Sequence, residues 1–197
     1  MDRFRGYIAG IGTSSGTRLV VGHWLESPLG AFTDVMAENA AGSRLLLAPN
    51  PEVAAYVGGT YHFDAVDVVD VEARLTAERF LVSAGPLRLN LALGPRTLLG
   101  QLLERIPPAL AVHPRWLAAI NPLAGLLVPG VSTAGSAGGE RREFYGVRSI
   151  RSLAGASASW NGRDLGRLSP IEPPVHFGFS SVPPKPQIVA VTTSIVS

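Results

Sequence analysis

Residues 69–75 and 87–93 alternate with a period of two, and this pattern constrains the fold more than any other feature. In 69–75 every odd position is apolar and every even position is charged, and 87–93 repeats the pattern with leucine at each odd position. Because successive side chains of a β-strand point to opposite faces, each run predicts a half-buried strand. With 78–83 between them, the runs predict a three-stranded antiparallel meander with one polar face.

Other short strand-like segments lie on both sides of this meander. The segments 32–38 and 43–48 flank residues 39–42, a hairpin loop with glycine at the tight position, and Asn161-Gly162 is the strongest two-residue hairpin signal in the chain. The remaining predicted strands are 17–24, 143–152, 154–160, 163–168, 175–179 and 187–196. Ten or more short strands favour an α+β fold that is predominantly antiparallel β, arranged as a closed or nearly closed β-barrel or cone with a helical insertion.

Helical signals are confined to two places. Asn50 can cap a short helix over 50–60, and leucines at helical spacing begin a helical insertion at about 96–128. Residues 109–128 are long enough to span a membrane, but two prolines and an arginine interrupt them, so we expect a buried or lid-like helical pair. The glycine- and serine-rich residues 132–140 predict a flexible loop within a single domain, 1–197.

The composition limits the chemistry that this chain can perform. Apolar residues make up 46% and charged residues 16%, which allows a large core and leaves apolar surface for a ligand or a partner. The absence of cysteine excludes disulfides, thiolate catalysis and cysteine-ligated metals, and the four histidines are far apart. We therefore expect no metal and no cofactor. The net charge of +2 comes without a basic, aromatic-rich stripe, so we expect no nucleic-acid partner.

The N-terminal residues lack the basic region and apolar stretch of a signal peptide, which predicts a cytoplasmic protein. Residues 12–16 read Gly-Thr-Ser-Ser-Gly and match the G-x-S-x-G pattern of a nucleophile elbow. That elbow requires a strand before it and a helix after it, whereas a strand-like segment follows here. We interpret these residues as a turn between two strands.

Asp34 is the first candidate for a functional residue. It alternates with Phe32 and Met36 in an apolar strand, one face of which would point into a barrel. An acid on that face needs a partner or acquires a raised pKa, as functional carboxylates do. The alternative is an Asp34 that points outward into solvent.

The charged and aromatic segment 140–148 is the second candidate. Arg142 can bind a carboxylate or phosphate in a bidentate manner, Glu143 offers a carboxylate, and Tyr145 adds a hydroxyl group. Its position directly after the predicted flexible loop would suit the mouth of a pocket. The alternative is an ordinary polar strand face.

The order of these segments resembles the acetoacetate decarboxylase-like β-fold superfamily. TRLVVGHW followed by SPLGAFTDVM is similar to that family's strand entry, with Asp34 where its acid falls, and the Asn161-Gly162 turn precedes a proline loop and a closing strand. The resemblance implies a cone-like barrel around an apolar cavity. The family's Schiff-base lysine has no counterpart, because the single lysine, Lys185, lies in a Pro-Pro-Lys-Pro loop, so we expect no Schiff-base decarboxylation.

Two functions fit these features. The first is a small-molecule-binding barrel, either a binding protein or a cofactor-independent lyase, isomerase or hydrolase acting on an apolar ligand with an anionic group. Asp34, Glu143 and His23 would do the acid–base work, Arg142 would hold the anion, and Tyr145, Phe32 and Trp160 would contact the ligand. The second is a non-enzymatic module that docks on a partner subunit or a membrane surface through 109–128. A small apolar or anionic ligand is the favoured partner, a membrane surface is not favoured, and a homodimer remains open.

Overall fold

One large, strongly curled sheet dominates the protein. The structure is a computed structural model that describes residues 2–105, 134–136, 142–178 and 182–196, with only the backbone described for 134–136, 142–145 and 196. The strands are β1 (Asp2–Thr13), β2 (Arg18–Glu26), β3 (Phe32–Glu38), β4 (Arg44–Ala48), β5 (Ala65–Val68), β6 (Val71–Leu75), β7 (Arg79–Ala84), β8 (Leu87–Arg96), β9 (Ala134–Ser136), β10 (Arg142–Trp160), β11 (Arg163–Asp164), β12 (Leu168–Ser169) and β13 (Gln187–Val196). The helices are α1 (Pro51–Gly58) and α2 (Leu98–Leu103).

Ten strands follow one another across the sheet in the order β5-β4-β3-β2-β1-β13-β10-β8-β7-β6. Strands β9 and β11 pair with β10, and β12 pairs with β1. The described pairings are antiparallel except that of β4 with β5, which is parallel. The predominantly antiparallel β-fold predicted from the sequence is thus confirmed.

The predicted barrel closure is wrong in one respect, because no ladder in the described part of the chain joins the two ends of the sheet. The end strands β5 and β6 are instead consecutive in the chain. Directly after β5, the N–H of Val69 donates to the carbonyl of Ala48 in β4. At the next residue, the carbonyl of Asp70 accepts from the N–H of Gly85, which follows β7. Residues 65–75 therefore pair first with one end of the sheet and then with the other, so the sheet is an open half-barrel whose ends are joined by the chain.

Each face of the sheet packs a separate apolar cluster. The first cluster contains side chains from both halves of the sheet, among them Val21, Leu47, Phe80 and Leu91, so it lies on the inner face of the curl. The second contains alternate residues of β1 to β4, residues of α1, and Val175, Phe177 and Val182, so it lies on the outer face. Because consecutive residues of a strand face opposite sides, neighbouring residues of β2 and β3 belong to different clusters.

A buried ion pair attaches the proline-rich segment 170–178 to the outer face. Arg18 Nη2 lies 3.0 Å from Glu38 Oε1, and the two side chains are 3% and 1% exposed. Arg18 also donates to the carbonyl of Pro173, while the backbone N–H of His176 donates to Glu38 Oε2 at 2.7 Å. Burying both charges is tolerable because each is paired and hydrogen-bonded.

Several local predictions are confirmed. The meander appears as β6, β7 and β8, and Asn161 and Gly162 both adopt positive φ angles at the predicted hairpin. The Asn50 side chain caps α1 by accepting from the N–H of Val53. Ser14 lies in a turn between β1 and β2, where its hydroxyl accepts from the N–H of Arg167, so the interpretation of 12–16 as a turn is confirmed.

The region 96–140 is only partly described. Helix α2 lies at the start of the predicted helical insertion, and the rest of that insertion, including 109–128, falls outside the described residues. In the predicted flexible loop, residues 134–136 form β9 against β10, and the rest of the loop falls outside the described residues, so its flexibility stays a prediction. The described part of the chain has no helix that is both long and apolar enough to cross a membrane.

Candidate functional site

Asp34 is buried on the outer face of the sheet. Phe32, Asp34 and Met36 share one side of β3, and both neighbours belong to the outer cluster. Asp34 is 2% exposed and lies opposite Gly22 in the ladder of β2 and β3. The sequence-based alternative of a solvated Asp34 is therefore wrong, and so is the expectation that it would point into the barrel, because the inner face belongs to the neighbouring residues.

The partner of Asp34 is the indole of Trp24. Trp24 Nε1 donates to Asp34 Oδ1 at 3.2 Å. The glycine at position 22 makes this contact possible, because a Cβ there would lie 2.6 Å from Asp34 Oδ1 and 2.7 Å from Trp24 Nε1. A side chain at this position would occupy the space in which the hydrogen bond forms.

Replacing Gly22 with alanine is expected to separate Trp24 from Asp34. The added methyl group overpacks the site, for which we expect a loss of about 1–3 kcal/mol of unfolding free energy. Urea denaturation measures this loss, and the NMR resonance of the Trp24 indole N–H reports the broken hydrogen bond. Gly155→Ala is the matched control, since nothing lies within 4 Å of a Cβ at that position. An unchanged indole resonance in Gly22→Ala would contradict this account.

Burial raises the pKa of Asp34 from 3.8 to about 7. Loss of hydration is the largest cause, and it outweighs the hydrogen bonds from Trp24 and from the backbone N–H of Asp34, which lower the pKa. No charged group among the described residues contributes to this shift. A large fraction of Asp34 is thus protonated at neutral pH, and the carboxyl group can then donate a hydrogen bond.

Aromatic rings pack next to Trp24, the hydrogen-bond partner of this carboxyl group. The ring of Phe4 lies 5.5 Å from that of Trp24, 6.4 Å from that of Phe32 and 5.4 Å from that of Tyr56. The structure thus brings the predicted residues Phe32 and Asp34 together. Phe4 and Tyr56 were missed by the sequence analysis, because Phe4 lies in a strand that was not predicted and Tyr56 approaches from α1.

His23 lies on the opposite face of the same two strands. Its Nδ1 atom is 2.8 Å from Thr33 Oγ1, and its ring stacks against that of Tyr7. Burial lowers the pKa of His23 below 6.5. His23 and Asp34 therefore do not form one site, which corrects the expectation that they would share an acid–base function.

The other predicted site residues do not contact Asp34 in the described part of the chain. Trp160 packs against the inner cluster, on the face opposite to Asp34. The backbones of Arg142, Glu143 and Tyr145 lie in β10 opposite Val196, Ile195 and Thr193. The side chains of these three residues fall outside the described atoms, so their roles remain predictions.

The described residues hold no group of three or more histidine, aspartate or glutamate side chains that could bind a metal ion. Lys185 is exposed in its loop. Asp34 itself is an acid with a pKa of about 7 among the apolar side chains of the outer cluster.

No protein-family model matches the sequence, and no curated protein is significantly similar to it. Among solved structures, the chain is similar to the acetoacetate decarboxylase of Legionella pneumophila, with a TM-score of 0.45 and 8% identity, covering 100% of this chain and 87% of that one. The solved structure belongs to the family that the sequence resembles, and the similarity concerns the fold alone.

Proposed function

We propose that this protein binds a small, neutral, largely apolar ligand through a hydrogen bond from the protonated carboxyl group of Asp34. The observation that carries the proposal is the absence of any acceptor for that proton among the described residues, where Asp34 interacts only with the donors Trp24 N–H and its own backbone N–H. A buried donor without an acceptor is costly. An acceptor oxygen on a ligand would remove that cost.

The surroundings favour a neutral ligand over an anion. Phe4, Trp24 and Phe32 supply apolar surroundings, and within the part of the chain that the structure describes no charged side chain influences the protonation of Asp34. An anion would lose its hydration here without gaining a cation. The anionic group predicted from the sequence would require Arg142, whose side chain is not described.

The same donor could also support catalysis. A carboxylic acid that stays neutral near pH 7 can stabilise negative charge that develops on a ligand oxygen. A cofactor-independent lyase or isomerase needs such a donor, together with a base. Glu143 is the predicted base, and its part in this proposal depends on a side chain that is not described.

Acetophenone and benzoate are matched probes, because they share a ring but differ in charge. We expect acetophenone to shift the Trp24 indole N–H resonance, and benzoate not to shift it. Asp34→Leu should weaken acetophenone binding about tenfold, the equivalent of one hydrogen bond. Because Asp34 ceases to donate when it ionises, affinity should fall as the pH rises through about 7.

Asp67→Leu, at an exposed acid of β5, is the control variant and should bind acetophenone like the wild type. Equal binding of acetophenone by Asp34→Leu and the wild type would overturn the proposal, as would tighter binding of benzoate than of acetophenone.

A further inference from the structure

Strand β5 forms one end of the sheet and has an open edge. It pairs with β4 on one side, and no other strand in the described part of the chain pairs with it. All four of its residues are exposed, and Val66 and Val68 are 44% and 51% exposed. The open edge of β5 is therefore accessible from solvent.

Alternate residues of β5 direct their backbone groups towards this open edge. The N–H of Asp64, directly before β5, donates to the carbonyl of Arg44 at the start of β4. Because successive residues of a strand turn their backbone groups to opposite sides, Ala65 and Asp67 direct theirs away from β4. Outside the ladder with β4, neither residue makes a backbone hydrogen bond within the described residues. Their two N–H groups and two carbonyl groups are thus left for a further strand.

The charges along this edge are acidic. Residues 64–72 include no basic residue and contain four acids, Asp64, Asp67, Asp70 and Glu72. Arg44 forms an ion pair with Asp64, whereas Asp67 and Asp70 make no ion pair with a described residue. A second copy of the chain paired at this edge would bring two Asp67 side chains close together, and facing like charges oppose strand pairing. A positively charged strand meets no such opposition.

We propose that the open edge of β5 binds an extended, positively charged peptide segment, which adds a strand to the sheet. Val66 and Val68 lie on one face of β5 and Asp67 on the other, because the side chains of a strand alternate. The segment that fits carries apolar side chains beside the valines and arginine or lysine beside Asp67. Hydrogen bonds to the backbones of Ala65 and Asp67 hold it in place. This surface does not depend on the function proposed for Asp34.

Two capped peptides test this surface, one of alternating valine and arginine and the other of alternating valine and glutamate. In an NMR titration of the wild type, the arginine peptide should shift the amide resonances of Ala65 and Asp67. It should bind about tenfold more tightly than the glutamate peptide. Asp67→Asn should weaken binding of the arginine peptide about threefold, the usual size of one exposed charge pair. Glu78→Gln makes the same change of charge at an exposed position outside β5, so it is the matched control and should bind like the wild type.

Ala65→Pro separates backbone pairing from general attraction between charges. Proline removes the N–H that points to the open edge, and it is tolerated on an edge strand where that N–H faces solvent. The variant should therefore keep the ladder of β5 with β4 and the charge of Asp67. Because a backbone hydrogen bond to the peptide is lost, it should bind the arginine peptide about tenfold more weakly than the wild type.

Equal binding of the arginine peptide by Ala65→Pro and the wild type would overturn the proposal, as would equal affinity for the two peptides. Amide shifts confined to β6, at the other end of the sheet, would also overturn it. If Ala65→Pro does not fold, an arginine peptide methylated at alternate backbone nitrogens replaces the variant, and undiminished binding of both methylated forms contradicts the proposal. A dimer of the wild type alone that Ala65→Pro dissociates would show that a second copy occupies the edge instead.

Discussion

Asp34→Asn is expected to make the protein more stable than the wild type at pH 8, by up to about 4 kcal/mol. The pKa of Asp34 is about 7 in the folded protein and 3.8 for an unperturbed aspartate. Each unit of that difference corresponds to about 1.4 kcal/mol. Asparagine fills nearly the same volume and never ionises, so it avoids the cost of burying a charge.

The direction in which stability changes with pH follows from proton binding. Between pH 4 and 7 the folded protein keeps a proton that the unfolded chain releases, so this group stabilises the fold fully below pH 4. Its contribution is lost as the pH rises through about 7. The wild type should therefore lose stability relative to Asp34→Asn over this range, and the two proteins should differ little at pH 4.

Urea denaturation from pH 4 to pH 8 measures the difference in unfolding free energy between the two proteins. The other titrating groups contribute equally to both proteins, so their contributions cancel in this difference. Asp67→Asn, at an exposed position of β5, is the control and should parallel the wild type. Parallel curves for Asp34→Asn and the wild type would mean that Asp34 is ionised throughout.

Arg18→Met is the second substitution with a large expected effect, a loss of about 3–5 kcal/mol of unfolding free energy. It removes the cation from a pair in which Arg18 is 3% and Glu38 1% exposed. The buried Glu38 carboxylate then loses its guanidinium partner and keeps only its contacts with His176, and the hydrogen bond from Arg18 to the carbonyl of Pro173 is also lost. The proline-rich segment should become less firmly attached.

The double variant Arg18→Met with Glu38→Leu separates charge burial from lost packing. Replacing both members of a buried pair with apolar residues is often neutral, so the double variant should regain at least half of the stability lost by Arg18→Met. Arg5→Met, in the exposed pair with Glu26, is the control and should change stability little. Additive losses in the double variant would show that the buried charge is not the cause.

The sequence predicted the elements whose signals are local. The meander follows from alternation within single strands, and the Asn161-Gly162 hairpin follows from two residues that tolerate positive φ. Strand β1 was missed because glycines at positions 6, 10 and 12 weaken a strand signal. The structure explains Gly12, since a Cβ there would collide with the carbonyl of Pro170, 158 residues away in sequence.

The sequence also carries no signal that residues 65–75 pair first with β4 and then with β7. Every residue of β5 is exposed, so this strand has no pattern of burial that a sequence could show. It pairs in parallel with β4, and α1 lies between these two strands in the sequence. The open half-barrel is a consequence of this exchange, and it could be seen only in the assembled sheet.

The candidate site was predicted in part. The sequence pointed to Asp34 as an acid in an apolar strand, and the structure buries it and raises its pKa to about 7, while its part in a functional site stays a prediction. Its donor Trp24 and the opposite placement of His23 depend on the register of β2 against β3, in which Gly22 meets Asp34 and His23 meets Thr33. Register depends on which faces of two paired strands are buried together and on the turn between them, so it could not be derived from one strand alone.

The most direct test of the central claim is a carbon-13 NMR titration of the Asp34 side-chain carboxyl carbon, assigned by its absence in Asp34→Asn. Protonation of Asp34 at neutral pH underlies both its role as a donor and the stability difference. The account predicts a midpoint at about pH 7. A midpoint near 4, the value of a solvated aspartate, would contradict it.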